Sequence, residues 1–186
     1  MAVTALDPTT ALLVLDLQRG NLQLPLVHPV DEIVKRANAL SDAFRRADLP
    51  VVLVVVDDVP PGRTQVPRHA FEITPEWAEL VPELDQHPAD LRVTKKSSGA
   101  FARTGLEDML RDRDVTQVVL AGVATGGAAD STARQAFELG FHVTMAVDAM
   151  TDISLERHEQ TIATVFPRLG ETGTTEEILA LLRPAH

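Results

Sequence analysis

The chain has no cysteine among its 186 residues. Disulfides, zinc–thiolate centres and nucleophilic catalysis by a thiolate are excluded together. Positive charge is also scarce. Seventeen Lys and Arg stand against 27 Asp and Glu, a formal net charge of −10 at pH 7. Such a surface repels nucleic acid and anionic membranes, so neither is expected as a partner. Long apolar runs are missing, and the most apolar stretch, Val51–Val56, has the length of a strand rather than a membrane span. The opening MAVTALDPTT lacks the basic and apolar regions of a signal peptide. Together with the missing cysteine, this sets the expectation of a cytoplasmic protein.

Several catalytic signatures are absent as well. No G-x-S-x-G elbow, G-x-G-x-x-G fingerprint or phosphate-loop pattern occurs. The six histidines, among them His28, His87, His142 and His158, form no H-x-H or H-E-x-x-H pair. Asp57 and Asp58 offer two carboxylates for a cation or, equally, a plain surface loop. No metal and no cofactor are expected.

What is present reads as one domain, residues 1–186, with 45% apolar and 24% charged residues. Short β-branched runs alternate with helical patterns. Strands are predicted at residues 11–16, 51–56, 91–94, 117–121 and 142–147, with a short one before the last helix. Helices are predicted at residues 31–47, 75–84, 106–113, 127–139, 155–165 and 175–182. The first carries its apolar positions at Ile33, Val34, Ala37, Leu40 and Phe44. Gly140 stands where a C-cap would end the fourth, and Thr174 with Glu177 forms a capping box for the last. Strand–helix alternation predicts a parallel sheet covered by helices on both faces. In such sheets ligands bind beyond the carboxyl ends of the strands, so the residues just after strands are the candidates.

Three places qualify. Asp16 closes the first apolar run, with Gln18 two residues on. A carboxyl group at the rim of an apolar sheet is partly desolvated, which suits a general acid or base; a cap or turn role is the plain alternative. Lys95 leaves the third strand beside Lys96, so one of the pair faces a pocket and the other solvent. A Lys next to a carboxylate holds it or stabilises developing negative charge. The third place is residues 118–134, VVLAGVATGGAADSTAR, where an apolar strand runs into a Gly-rich turn that opens a helix. Backbone N–H groups at a helix start favour an anion, here from Gly126 to Ala128, although the glycines could serve only strand-to-helix packing. His158, flanked by Glu156 and Glu159, reads as a surface or capping residue.

These segments carry a resemblance. ALLVLDLQRG, VTKKSSGAFARTGLEDML and VVLAGVATGGAADSTARQAFELGFHVTMAVDAMTD, in this order and spacing, resemble the isochorismatase-like (cysteine hydrolase) superfamily over almost the whole chain. The resemblance implies a three-layer α/β/α Rossmann-like fold with a six-stranded parallel sheet. It implies Asp16 as the catalytic acid/base and Lys95 as its partner, and it places Ala128 where the family has its cysteine. Gln18, Val123, Ala124, Thr125, Gly126, Gly127 and Phe101 become candidate substrate contacts, with a cis peptide at Val123–Ala124. A homodimer or homotetramer and a small-molecule substrate are expected. The Asp-x-His metal motif of the nicotinamidase branch has no counterpart in Asp57-Asp58-Val59.

Three functions follow as expectations. The first is cysteine-free hydrolysis of vinyl-ether type by Asp16 and Lys95. The second is an amide or C–N hydrolase whose cysteine is replaced by Ala128, and the third a non-catalytic binding or scaffold subunit. Residues 21–29, 60–71 and 97–103 are the expected lid, with Arg63, Arg68 and Arg103 as candidate carboxylate binders or simply solvated loop charges.

Overall fold

The apolar runs form one six-stranded, all-parallel sheet in the order β3-β2-β1-β4-β5-β6. The computed structural model describes residues 3–60, 62–65 and 73–182. The strands are β1 (Thr10–Leu15), β2 (Val51–Val56), β3 (Leu91–Lys95), β4 (Gln117–Val123), β5 (His142–Thr151) and β6 (Glu171–Gly173). The helices are α1 (Val30–Arg46), α2 (Pro75–Ala78), α3 (Leu106–Arg111), α4 (Asp130–Glu138), α5 (Leu155–Gln160) and α6 (Thr175–Leu181).

Alternation along β1 divides the core into two layers. Leu12 and Val14 pack on one face with Ile33, Val34, Ala37, Leu40 and Phe44 of α1 and Ile178 of α6. Ala11, Leu13 and Leu15 pack on the other with Leu106 and Leu110 of α3 and Ala133 and Ala136 of α4. Every β1 residue is buried, as a central parallel strand demands. The five apolar positions predicted for α1 are its buried apolar stripe. Gly140 takes φ +82, and the capping box of α6 forms with both of its bonds.

The chain moves outward from β1 to β3 and returns at β4, on the other side of β1. The crevice between the carboxyl ends of β1 and β4 is therefore the topological switch point of the sheet. Gly122 pairs with Leu15 there at φ +115, and a Cβ would lie 2.0 Å from the Leu15 carbonyl oxygen. Only glycine allows the two strands to meet so closely at that end.

Four elements differ by more than two residues from the sequence reading. The helix predicted at residues 75–84 stops at Ala78, because Pro82 disfavours helical backbone at Val81 and Leu80 bridges to Gln18. β5 runs on to Thr151 through a bulge, since β4 advances from Leu120 to Gly122 while β5 advances from Met145 to Met150. The fourth helix opens as a π-helical turn, Thr125–Ala129, before α4. The helix predicted at residues 155–165 becomes α5, a π-helical stretch at Thr161–Val165, then a 3-10 turn containing Pro167. Residues 61 and 66–71 of the expected lid, with Arg68, lie outside the described residues. Among the described residues no helix is long and apolar enough to cross a membrane.

Candidate active site

Asp16 is the first residue beyond β1. Its amide still donates to Val54 O at 2.9 Å, and its own φ turns to +53. Asp is among the few residues that visit left-handed backbone, and here that conformation bends the chain away at the end of the strand. Its carbonyl accepts from Gln18 N at 2.8 Å and Asn21 Nδ2 at 3.1 Å, which fixes the bend.

Two-residue periodicity along β3 delivers Lys95. Val93 and Lys95 point inward while Arg92 and Thr94 are exposed. Lys95 is 1% exposed, and the Lys96 side chain is 68% exposed beside Asp57 and Asp58 at 3.9 Å. One lysine of the pair thus faces the site and the other pairs with surface carboxylates. Among the described residues no group of side chains has the makeup of a metal site.

Lys95 Nζ donates to Asp16 Oδ2 at 2.7 Å and to Ser97 O at 3.0 Å. Asp16 is only 5% exposed, and its other oxygen, Oδ1, has no hydrogen-bond partner among the described residues. Burial pushes the Asp16 carboxyl up, and the Lys95 charge and hydrogen bond pull it part of the way back, leaving it at about 6. With Lys95 on Oδ2, a proton on this carboxyl resides on Oδ1. One carboxyl oxygen is thus held by Lys95, and the other is buried without a hydrogen-bond partner among the described residues.

Gln18 reaches the same region, but its amide is committed to backbone. Nε2 donates to Val56 O and Ala78 O, each at 2.8 Å, and Oε1 accepts from Val56 N at 2.9 Å. It ties the ends of β1 and β2 to α2. Phe101 belongs to the core, packing on Phe141 with ring centroids 5.7 Å apart. The loop after Lys95 is held by α4, with Ala100 N donating to Thr132 Oγ1 at 3.1 Å and Phe101 N to Gln135 Oε1 at 2.9 Å. Arg103 is exposed on the same loop.

The turn after β4 opens beside Asp16 because β4 neighbours β1. The Val123–Ala124 peptide is cis, Val123 and Ala128 are buried, and Ala124 is half-buried. The backbone anion site expected from Gly126 to Ala128 is largely spent within the protein. Gly126 N donates to Asp152 Oδ2 at 2.8 Å and Gly127 N to Ala124 O at 3.0 Å. The Thr125 hydroxyl is also occupied, lying 3.2 Å from Thr151 O and 2.7 Å from His158 Nδ1.

Four residues behind this turn were not candidates in the sequence. Asp152, fully buried beyond β5, accepts from Ile153 N and Ser154 N as well as Gly126 N, and pairs with Arg157. Burial works to raise its carboxyl, but Arg157 and the Gly126 N–H outweigh it and hold the group below the usual carboxylate range. His158 is buried rather than at the surface, and the His28 ring lies against it, tilted by 58° with ring centroids 4.7 Å apart. Burial, then the His28 ring, holds His158 below its ordinary value. The strand-end rule would have found Asp152 had β5 been drawn to Thr151. Drawn to Val147, it points to Asp148, whose carboxylate instead caps α6 through Thr175 N at 2.7 Å.

The Isochorismatase domain model matches residues 10–177. The isochorismatase family protein YwoC of Bacillus subtilis is 39% identical over 180 residues, covering 91% of this chain and 92% of that protein. YecD of Escherichia coli O157:H7, from the same family, is 38% identical over 94% of this chain and 96% of its own length. An isochorismatase family protein of Burkholderia thailandensis superposes with TM-score 0.93 at 34% identity, over 97% of this chain and 99% of that one. Matched along nearly its whole length in sequence and in fold, the chain belongs to the isochorismatase family.

Proposed function

We propose that the protein hydrolyses a small molecule of vinyl-ether type by proton transfer at Asp16, with no covalent nucleophile. The observation that carries this reading is the Asp16 carboxyl itself: buried, titrating at about 6, clamped by Lys95 through Oδ2 and unpartnered at Oδ1. The absence of cysteine from the sequence supports it, since the thiol route of acyl transfer is closed.

In this mechanism Asp16 Oδ1 gives its proton to the terminal CH2 carbon of the vinyl ether. The adjacent carbon becomes an oxocarbenium centre, and water adds to it. The carboxylate takes back one proton from that water, leaving a neutral hemiketal. The hemiketal collapses to a ketone and an alcohol, its hydroxyl proton passing to the departing oxygen. Lys95 spends two of its three N–H bonds on Asp16 and Ser97 O, and the third serves a substrate carboxylate. Its charge also steadies Asp16 when the proton has left.

Isochorismate is the first substrate to offer, with pyruvate release as the readout and Asp16→Asn as the control. Turnover in D2O should place one deuterium in the product methyl group. Release that persists in folded Asp16→Asn overturns the assignment. From the family resemblance we also propose a homodimer or homotetramer, which light scattering on the purified protein checks.

A further inference from the structure

We propose that His158 is a positioning residue of this site, acting through Thr125 to fix the turn at residues 123–129. Thr125 has a single hydroxyl proton. Donated to the Thr151 carbonyl, 3.2 Å away, which can only accept, that proton is no longer available to the imidazole. A lone pair of Thr125 Oγ1 is then left facing His158 Nδ1 at 2.7 Å, and the ring nitrogen must carry the hydrogen. The network thereby assigns His158 as the Nδ1–H tautomer.

The position of this bond gives it reach. Thr125 is fully buried and opens the π-helical turn that holds Ala128. The next residue, Gly126, is anchored to Asp152, and Arg157 holds Asp152. Arg157 and His158 are consecutive on α5, and they secure consecutive residues of the turn. The turn forms the β4 side of the crevice that faces Asp16, so displacement of Thr125 moves that wall relative to the acid. His28, from the segment 21–29, lies against the imidazole. Val27 N donates to Asp152 O at 2.9 Å, and His28 lies 3.0 Å from Thr151 Oγ1 through Nδ1. The ring of His158 is thus a spacer between two segments that border the site.

This inference rests on the acid–base reading above for its kinetic consequence, but its structural content is testable without a substrate. Nitrogen-15 spectra of the wild-type protein near pH 7 should show His158 protonated on Nδ1 and bare on Nε2. Amide exchange at Gly126, Gly127, Ala128 and Ala129 should accelerate in His158→Ala and in Thr125→Val. The second variant keeps the shape of the side chain while removing the acceptor. In His158→Asn the carboxamide N–H takes the place of Nδ1–H, so exchange should remain as in the wild type. Against a vinyl-ether substrate, His158→Ala should lose about a hundred-fold in kcat/KM, mainly in kcat, and His158→Asn should recover most of it. A His158 ring bearing its proton on Nε2 would overturn the proposal. So would unchanged exchange and unchanged kcat/KM in His158→Ala. If wild-type protein turns over no vinyl ether while the tautomer and exchange results hold, the acid–base reading fails and the positioning role stands.

Discussion

A carboxyl that titrates at about 6 is protonated in about one molecule in ten at pH 7. At the ordinary value of 3.8 the acid form would be fewer than about one in a thousand. Burial of Asp16 therefore raises the supply of proton donor about a hundred-fold at neutral pH, equivalent to about 3 kcal/mol. If Asp16 acts as the acid, kcat/KM for vinyl-ether hydrolysis should be level below about pH 6 and fall tenfold per pH unit above it. Pyruvate release coupled to lactate dehydrogenase gives the profile. Lys95→Met supplies the second half of the test. The Lys95 charge and hydrogen bond pull Asp16 down, so without them burial acts alone and the falling limb moves to higher pH. A limb that rises with pH would make Asp16 a base and refute the proton-donation step. A limb that stays in place in Lys95→Met would show that the titrating group is not the carboxyl beside Lys95.

The same group leaves a mark on stability. Its folded value, about 6, lies above the ordinary 3.8, so the folded chain binds the proton more tightly than the unfolded one. Ionisation then costs about 3 kcal/mol, absent below about pH 4 and fully present above about pH 6, and urea unfolding of wild type against Asp16→Asn should show their stability difference drifting by that amount. Asp152→Ala removes the acceptor of Gly126 N, Ile153 N, Ser154 N and Arg157, which should cost about 3 kcal/mol and lower Tm by about 10 °C. A drop of less than about 2 °C would mean that the turn does not depend on this carboxylate. Phe101→Leu should cost about 1 kcal/mol in unfolding experiments and leave kcat/KM within about threefold, because the ring packs on Phe141. A larger kinetic loss with Tm preserved would return Phe101 to the substrate.

The elements that the sequence discloses are those fixed by local pattern. Near-continuous apolar runs mark β1 and β2 as central parallel strands, and the end of β1 then locates Asp16. Adjacency on β3 parts Lys95 from Lys96, one inward and one to solvent, and the structure turns Lys95 inward. What stays hidden depends on contacts between distant residues. The amide of Gln18 resembles a ligand contact until Val56 and Ala78 are seen to take both of its ends. His158 sits between Glu156 and Glu159 and looks solvated. It is buried with the His28 ring against it, a contact that no helical periodicity encodes. Gly126 and Gly127 do mark a turn, but whether their N–H groups are free depends on Asp152 and Ala124. Asp148 reads as the end of β5 because a carboxylate is unfavourable in a strand interior, and the bulge that accommodates it is a tertiary feature.

The seam between β1 and β4 divides the labour of this protein. Asp16 and Lys95 come from the ends of β1 and β3, on one half of the sheet, and the turn bearing Ala128 comes from β4, on the other. Gly122 is the hinge pin that brings the halves together without belonging to either chemistry. Because Asp16 and Lys95 reach the crevice from strands other than β4, a substitution at position 128 leaves their 2.7 Å contact in place.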